Sequence, residues 1–261
     1  MDLKTLFDVS GKVAIVTGGS RGIGEMIAEG LVRNGVRTYI TARKAGACDA
    51  TAARLSEFGE CISVPADMST AEGLASFVDT FTEREDKLNI LVNNAGAAWG
   101  APMGEFPEVG FDKVMDINVK APYMLTQALL GPLTAASTTE DPGRVIMTGS
   151  IDGIRVPVGD NFSYSASKAG IHMLARHMAK FLIDRNITVN CIAPGPFESK
   201  MMAYMLEDEK IRSNIEGTNP RGRIGSPEDV AGTVIWLSSR AGAYINGVTV
   251  PVDGGIAMLN A

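Results

Sequence analysis

Cysteine is scarce: only Cys48, Cys61 and Cys191 occur in the 261 residues, and no two of them form a C-x-x-C pair. An odd, scattered set argues against a disulfide framework and against a zinc site, and suits buried thiols in a reducing compartment. Histidine is scarcer still, His172 and His177, and their separation of five positions is not the i, i+4 spacing of a helical ligand pair, so no metal is expected. There is no surplus of basic charge: 24 Lys and Arg against 30 Asp and Glu leave a net charge of −6, which argues against a broad basic face, and no nucleic-acid partner is expected. No run of about 18 apolar residues is present to cross a bilayer. The opening MDLKTLFDVSGKVAIVTGG also lacks the basic-then-apolar layout of a secretory leader, so a soluble, cytoplasmic protein is expected. Neither a low-complexity linker nor a fixed-period repeat divides the chain. Residues 1–261, 45% hydrophobic, are expected to form one domain around a sizeable core.

What the chain does have is a regular alternation. Lys12 to Thr17 is a β-branched run that stops at Gly18-Gly19, after which Ile23, Ile27 and Leu31 take helical spacing. The same exchange recurs through strands predicted at 38–41, 61–64, 89–93, 145–148, 188–192 and 248–252. Between them, helices are predicted at 47–58, 71–85, 111–130, 163–183 and 227–237. Seven strands joined by helices imply an α/β fold, a doubly wound parallel sheet covered on both faces. Two stretches break the alternation, 97–107 and 194–219. Each follows a strand, and ligands of open α/β sheets sit beyond the carboxyl ends of the strands, so both are candidate walls of a substrate site.

In Thr17-Gly-Gly-Ser-Arg-Gly-Ile-Gly24 the turn after the first strand holds Gly18, Ser20, Arg21, Gly22, Ile23 and Gly24. Glycines there let a pyrophosphate approach the backbone at a helix N-terminus. A tight structural turn would use the same glycines, but the place of this one, in the first strand-to-helix step, points to a Rossmann-type dinucleotide site. Where an acidic residue would accept the ribose hydroxyls of NAD, the second strand ends Ile40-Thr-Ala-Arg-Lys44. Arg43 and Lys44, with Arg21, suit the 2′-phosphate of NADP instead, and NADPH is preferred over NADH. Asp67 and Met68 follow the third strand; Asp67 suits either an adenine contact or the N-cap of the next helix.

Tyr164 and Lys168 stand four apart at the start of a predicted long helix, hence on one face. A phenol is a poor acid at neutral pH, and a neighbouring ammonium brings it toward the working range. Ser150, at the end of the fifth strand, is placed to hydrogen-bond a substrate oxygen.

With TGGSRGIG, Asn93-Asn94-Ala95-Gly96, Asn118 in DINV, Ser150, YSASK, Pro194-Gly195 and Pro251-Val-Asp-Gly-Gly255, the chain resembles the short-chain dehydrogenase/reductase family over nearly its whole length. The resemblance implies that Tyr164 is the general acid/base and that Ser150 positions the carbonyl. It further implies that Lys168 tunes Tyr164 and binds the nicotinamide ribose, and that Asn118 holds a water relaying protons from Lys168. Asn94, Ala95 and Gly96 would line the adenosine side, Pro194, Gly195 and Phe197 would lie along the nicotinamide, and Ser199 would contact its carboxamide or the phosphates. The family usually carries Ile or Val where Phe197 stands and Thr where Ser199 stands, and the 14-residue step from Ser150 to Tyr164 is one longer than in many members. A closer resemblance, in Thr41 to Ser69 and NNAGAAWGA, is to bacterial NADPH-dependent 3-oxoacyl reductases of the rhamnolipid-synthesis type.

The expected reaction is therefore NADPH-dependent reduction of a 3-oxoacyl thioester or bulky apolar ketone. The alternatives are a steroid or alicyclic alcohol dehydrogenase using NADP(H) or NAD(H), and a catalytically silent dinucleotide sensor. Trp99, Met103, Ile154, Val156, Phe197, Met201, Met202, Tyr204 and Met205 are candidate apolar walls, though core or interface packing would use the same side chains. By the resemblance, members that act on an acyl-carrier protein carry basic residues beside the fifth strand and at the end of the catalytic helix. Arg185 suits the second place and Thr139-Glu-Asp-Pro-Gly143 does not suit the first, which points to a coenzyme A thioester or a free ketone. The resemblance also implies a homotetramer.

Overall fold

The computed structural model describes residues 1–198 and 209–259. Its strands are β1 Val13–Thr17, β2 Arg37–Thr41, β3 Cys61–Ser63, β4 Ile90–Asn93, β5 Gly143–Thr148, β6 Ile187–Pro194 and β7 Thr249–Val252. They form one sheet in the order β3-β2-β1-β4-β5-β6-β7, and every neighbouring pair is parallel. The order reverses between β1 and β4, which opens a crevice beyond their carboxyl ends.

Side chains along the central strands alternate between two cores. Ala14, Val16, Ile90 and Val92 join Ile27, Leu31, Leu55, Val230 and Val234 on one face. Ile15 and Leu91 join Phe77, Phe81, Leu125, Leu133, Ile171 and Ala175 on the other. The covering helices on the first face are α2 Gly22–Arg33, α3 Ala45–Leu55 and Pro227–Ser238; on the second they include α4 Ala71–Thr82, α6 Ala121–Ala128, α7 Leu130–Ala136 and α8 Phe162–Leu182. Burying both faces explains why these strands read as near-continuous apolar runs. Each fully buried Leu, Ile or Phe contributes roughly 1.5–3 kcal/mol.

The helix expected at 111–130 is interrupted. It starts as α5 at Glu108–Met115, makes a π turn at Asp116–Lys120 and continues as α6. Pro122 has no N–H to give to the carbonyl of Asn118, four residues back, so the regular ladder cannot run through this point. A short helix α1, Leu3–Leu6, precedes the sheet, and a final turn, Ile256–Leu259, follows it. Within 194–219, the stretch that breaks the alternation, Glu209–Thr218 is helical.

Arg144 ties the sheet to the helix layer. Only 1% exposed on β5, it donates to the carbonyls of Leu237 at 2.9 Å and Ser239 at 3.0 Å, and also to that of Pro142 and to Asp141. Asp141 is held in turn by Lys12 at 2.6 Å. Replacement by an apolar side chain leaves buried carbonyls without donors, so Arg144→Leu is expected to lower the unfolding free energy by about 2–4 kcal/mol in urea titration. A change below about 1 kcal/mol would show that water or a rearranged loop satisfies those carbonyls.

Candidate active site

The glycine turn sits at the mouth of the crevice. Gly18 and Gly22 adopt φ of 67° and 55°, a left-handed conformation that favours glycine. A Cβ on Gly24 would fall 2.3 Å from the Gly18 carbonyl oxygen and 2.4 Å from Asn94 Nδ2. The turn is thus as tight as a backbone allows, and α2 starts at Gly22 with Arg21 as its extended N-cap. The free N–H groups of that first turn, and the lack of a side chain on Gly18, Gly22 and Gly24, fit a pyrophosphate. Ser20 is fixed from below, its carbonyl accepting from Thr51 Oγ1 at 3.1 Å.

The turn is locked to the neighbouring strand through Thr17. Its Oγ1 accepts from the N–H groups of Asn94 and Ala95, both at 2.9 Å, while Asn94 Nδ2 donates to the Thr17 carbonyl at 3.0 Å. Asn94, Ala95 and Gly96 therefore flank the glycine turn at the sheet's reversal point.

At the end of β2, Arg43 and Lys44 are exposed, as is Arg21, and among the described residues none of the three is in an ion pair. Asp67 lies close enough to Arg43 to feel its charge. It is not the N-cap of α4; Thr70 is, with Oγ1 accepting from the Gly73 N–H at 3.0 Å. The Asp67 carboxylate instead accepts from Ser69 N at 3.0 Å and Ser69 Oγ at 2.6 Å. Burial raises its pKa, but these bonds and the Arg43 charge outweigh that and hold it below the usual value. Met68 is 5% exposed and packs in the second core.

On the other side of the crevice, β5 leads to Ser150, which caps a single 3₁₀ turn, Ile151–Gly153, through Oγ accepting from Asp152 N at 3.1 Å. Gly153 brings this turn against α8: a Cβ there would lie 2.5 Å from the Lys168 carbonyl carbon. That contact sets Ser150 beside Tyr164, near enough for the serine side chain to lower the pKa of the phenol. Lys168 is 5% exposed, donates to the Thr148 carbonyl at 2.7 Å and stands 5.4 Å from the centre of the Tyr164 ring. Asn118, in the π turn, accepts from Ala97 N and donates to Ala97 O and Ser167 Oγ, all at 2.9 Å. Ser167 precedes Lys168, so Asn118 braces the helix that carries the tyrosine and lysine. The four expected catalytic residues are brought to one place.

Electrostatics here differ in one respect from the expectation. Burial raises the Tyr164 pKa above its ordinary value, the Ser150 bond lowers it and the carboxyl of Asp152 raises it further. Burial also brings Lys168 down to about 8, and its ammonium is engaged with a main-chain carbonyl rather than with the phenol. Asp152 itself is pushed up, first by burial, against the lowering effects of Asn161 and Arg155. Nothing in the sequence pattern singles it out, because it lies in an aperiodic turn.

The candidate walls divide. Ile154 packs with Ile151, Ile256 and Ala257, the last two supplied by a terminal turn that the strand-helix pattern did not reveal. Trp99 lies against α5, where a Cβ on Gly110 would be 2.7 Å from its ring. Met103 and Val156 are 78% and 90% exposed. Phe197 is 2% exposed and packs in the core with Ile192, its ring pressed on Gly225; Pro194 ends β6 and Gly195 abuts Asp253. Ser199, Met201, Met202, Tyr204 and Met205 lie outside the described residues. His177 is exposed, and His172 is buried behind Ser150.

Comparison with known proteins agrees with this geometry. Residues 18–257 match the family described as enoyl-(acyl carrier protein) reductase. The chain is 43% identical over 249 residues to the rhamnolipids biosynthesis 3-oxoacyl-(acyl-carrier-protein) reductase of Pseudomonas aeruginosa, covering 95% of this chain and 97% of that protein. It is 33% identical to the short-chain dehydrogenase/reductase PhomF of Diaporthe leptostromiformis, over 96% of this chain and 92% of that one. Among solved structures, the Pseudomonas aeruginosa RhlG/NADP active-site complex superposes with a TM-score of 0.95 at 42% identity, covering 97% of this chain and 99% of that chain. A glycine turn at the sheet reversal, the Ser150, Tyr164 and Lys168 cluster across the crevice from it, and identity spread over almost the full length make the chain a member of the short-chain dehydrogenase/reductase family.

Proposed function

We propose that this protein uses NADPH to reduce the ketone of a 3-oxoacyl thioester to a secondary alcohol. The observation that carries the reading is the pairing of two half-sites on one crevice: exposed cations at the end of β2, and beyond β5 a cluster in which Ser150 and Lys168 are buried and Tyr164 is half-buried. NADP in the RhlG complex and the 3-oxoacyl reductase activity named for the Pseudomonas aeruginosa relative support it.

Gly18, Gly22 and Gly24 would hold the pyrophosphate, and Arg21, Arg43 and Lys44 the 2′-phosphate. When bound, NADPH supplies the hydride that the carbonyl carbon receives. Ser150 and Tyr164 hydrogen-bond the carbonyl oxygen, where negative charge develops, and Tyr164 passes its hydroxyl proton to that oxygen. The raised phenol pKa keeps the proton on Tyr164 at neutral pH until it is needed. Lys168 then faces the phenolate and favours its formation electrostatically. Asn118 and Ser167 hold α8 in register during the transfer. The carbon gains the hydride, the oxygen gains the proton, and the ketone becomes an alcohol. Exposed Met124, Met173 and Phe181 on α6 and α8 are apolar surface suited to the homotetramer that the family resemblance implies.

NADPH consumption by the purified protein, measured with a 3-oxoacyl-CoA, a simple 3-oxo ester and a steroid ketone, is expected to be fastest with the thioester. Turnover of the steroid alone would reject the acyl reading, and binding of NADPH without turnover of any of the three would favour a dinucleotide sensor. Tyr164→Phe is expected to lower kcat by about a thousandfold with NADPH affinity, measured by fluorescence titration, nearly unchanged. Arg43→Ala is expected to raise the KM for NADPH about tenfold or more while leaving that for NADH within about twofold. Equal weakening of both cofactors would show that Arg43 does not read the 2′-phosphate.

A further inference from the structure

Behind Ser150 lies a contact that the reduction chemistry above does not use. A Cβ on Gly149 would fall 2.1 Å from His172 Nε2 and 2.9 Å from Cys191 Sγ. The imidazole and thiol are therefore pressed against the main chain immediately before the serine. His172 stands one helical turn after Lys168 on α8 and is 7% exposed. Its Nε2 accepts the backbone N–H of Ser150 at 3.4 Å, a long hydrogen bond, and the geometry requires that this nitrogen carry no proton.

We propose that His172 is a positioning residue for the reduction: a neutral imidazole, protonated on Nδ1, whose Nε2 fixes the main chain at Ser150. The inference rests on the reductase reading of the site. Among the described residues no anionic group acts on the ring. From its own helix come the cations Lys168 and Arg176; from β6 comes the thiol of Cys191, which burial pushes up to about 12 and keeps uncharged; from the end of β5 come Gly149 and the Ser150 N–H. Burial first, then Lys168 and Arg176, bring His172 down to about 4. A protonated Nε2 would oppose the Ser150 N–H with another donor and release the turn.

The consequence falls on Ser150. Its backbone is extended, with φ −166° and ψ 157°, and its hydroxyl oxygen is already taken by the Asp152 N–H. That leaves one hydroxyl proton to aim at the Tyr164 oxygen or at a substrate carbonyl. Only a fixed main chain aims it, and displacements near 1 Å at such groups cost up to about a hundredfold in rate. Gly149 is required because any side chain there would occupy the place of the imidazole.

The test combines a spectrum with a pair of variants. Only two histidines are present, so ¹⁵N-resolved imidazole spectra, assigned with His177→Gln, read His172 directly in the wild-type protein. The expected result is an unprotonated Nε2 and protonated Nδ1 with no titration between about pH 5.5 and 8.5. An Nε2–H tautomer, or titration near the ordinary value of about 6.5, would overturn the inference whether or not any variant folds. His172→Gln places an amide oxygen where Nε2 lies and is expected to hold kcat within about threefold of wild type. His172→Leu removes the acceptor and is expected to lower kcat about tenfold or more, with the KM for NADPH within about twofold. Equal loss in both variants, loss in neither, or greater loss in the glutamine variant would overturn it. Wild-type protein inert toward all carbonyls would reject the reductase reading instead, a failure separate from the tautomer result.

Discussion

The hydroxyl of Thr17 receives the N–H groups of Asn94 and Ala95, and much else in the molecule follows from that lock. It forces β1 and β4, which are adjacent in the sheet but far apart in sequence, to end at the same level. Asn94 then reaches the Thr17 carbonyl, and the glycine turn has to bend over an occupied floor. A side chain at Gly24 would strike both the Gly18 carbonyl and Asn94. The opening of a helix toward the crevice, with bare N–H groups at its end, is thus a consequence of how two strands are tied off.

Across the crevice the same economy of space sets the reactive groups. Gly153 lets the turn after Ser150 touch the backbone of α8, and Gly149 lets His172 lie under that turn. Lys168 is buried at a cost in desolvation, visible in its fall to about 8, and is partly compensated by the Thr148 carbonyl. Asn118 completes the frame because Pro122 prevents a regular helix at its position. The π turn that results brings its amide to Ala97 and Ser167. Rigid main-chain contacts, more than side-chain flexibility, place Ser150, Tyr164 and Lys168 together.

All seven strands were legible in the sequence because both faces of the sheet are buried, so each strand is a short apolar run between turn residues. The glycine turn, the cations ending β2 and the Tyr164-Lys168 spacing were legible because each is local. The break at Asn118 was not, since apolar spacing continues through it and only Pro122 marks it. Asp152, Ile256 and Ala257 reach the site through tertiary packing that no local period records. Spacing marks His172 and His177 as structural rather than metal-ligating, but the partner of His172, a backbone N–H on another element, leaves no trace in spacing. The resemblance alone puts Phe197 along the nicotinamide; in the structure its ring lies against Gly225.

The central claim is that the crevice joins a nucleotide site to a proton donor so that a ketone gains a hydride on carbon and a proton on oxygen. Reduction of a 3-oxoacyl-CoA with NADPH deuterated at the nicotinamide C4, followed by mass and NMR analysis of the alcohol, tests it most directly. The account predicts one deuterium on the carbinol carbon from one C4 epimer of the cofactor, and none there when unlabelled NADPH is used in deuterated water. Solvent deuterium at that carbon, or an alcohol formed without label from either epimer, would contradict it.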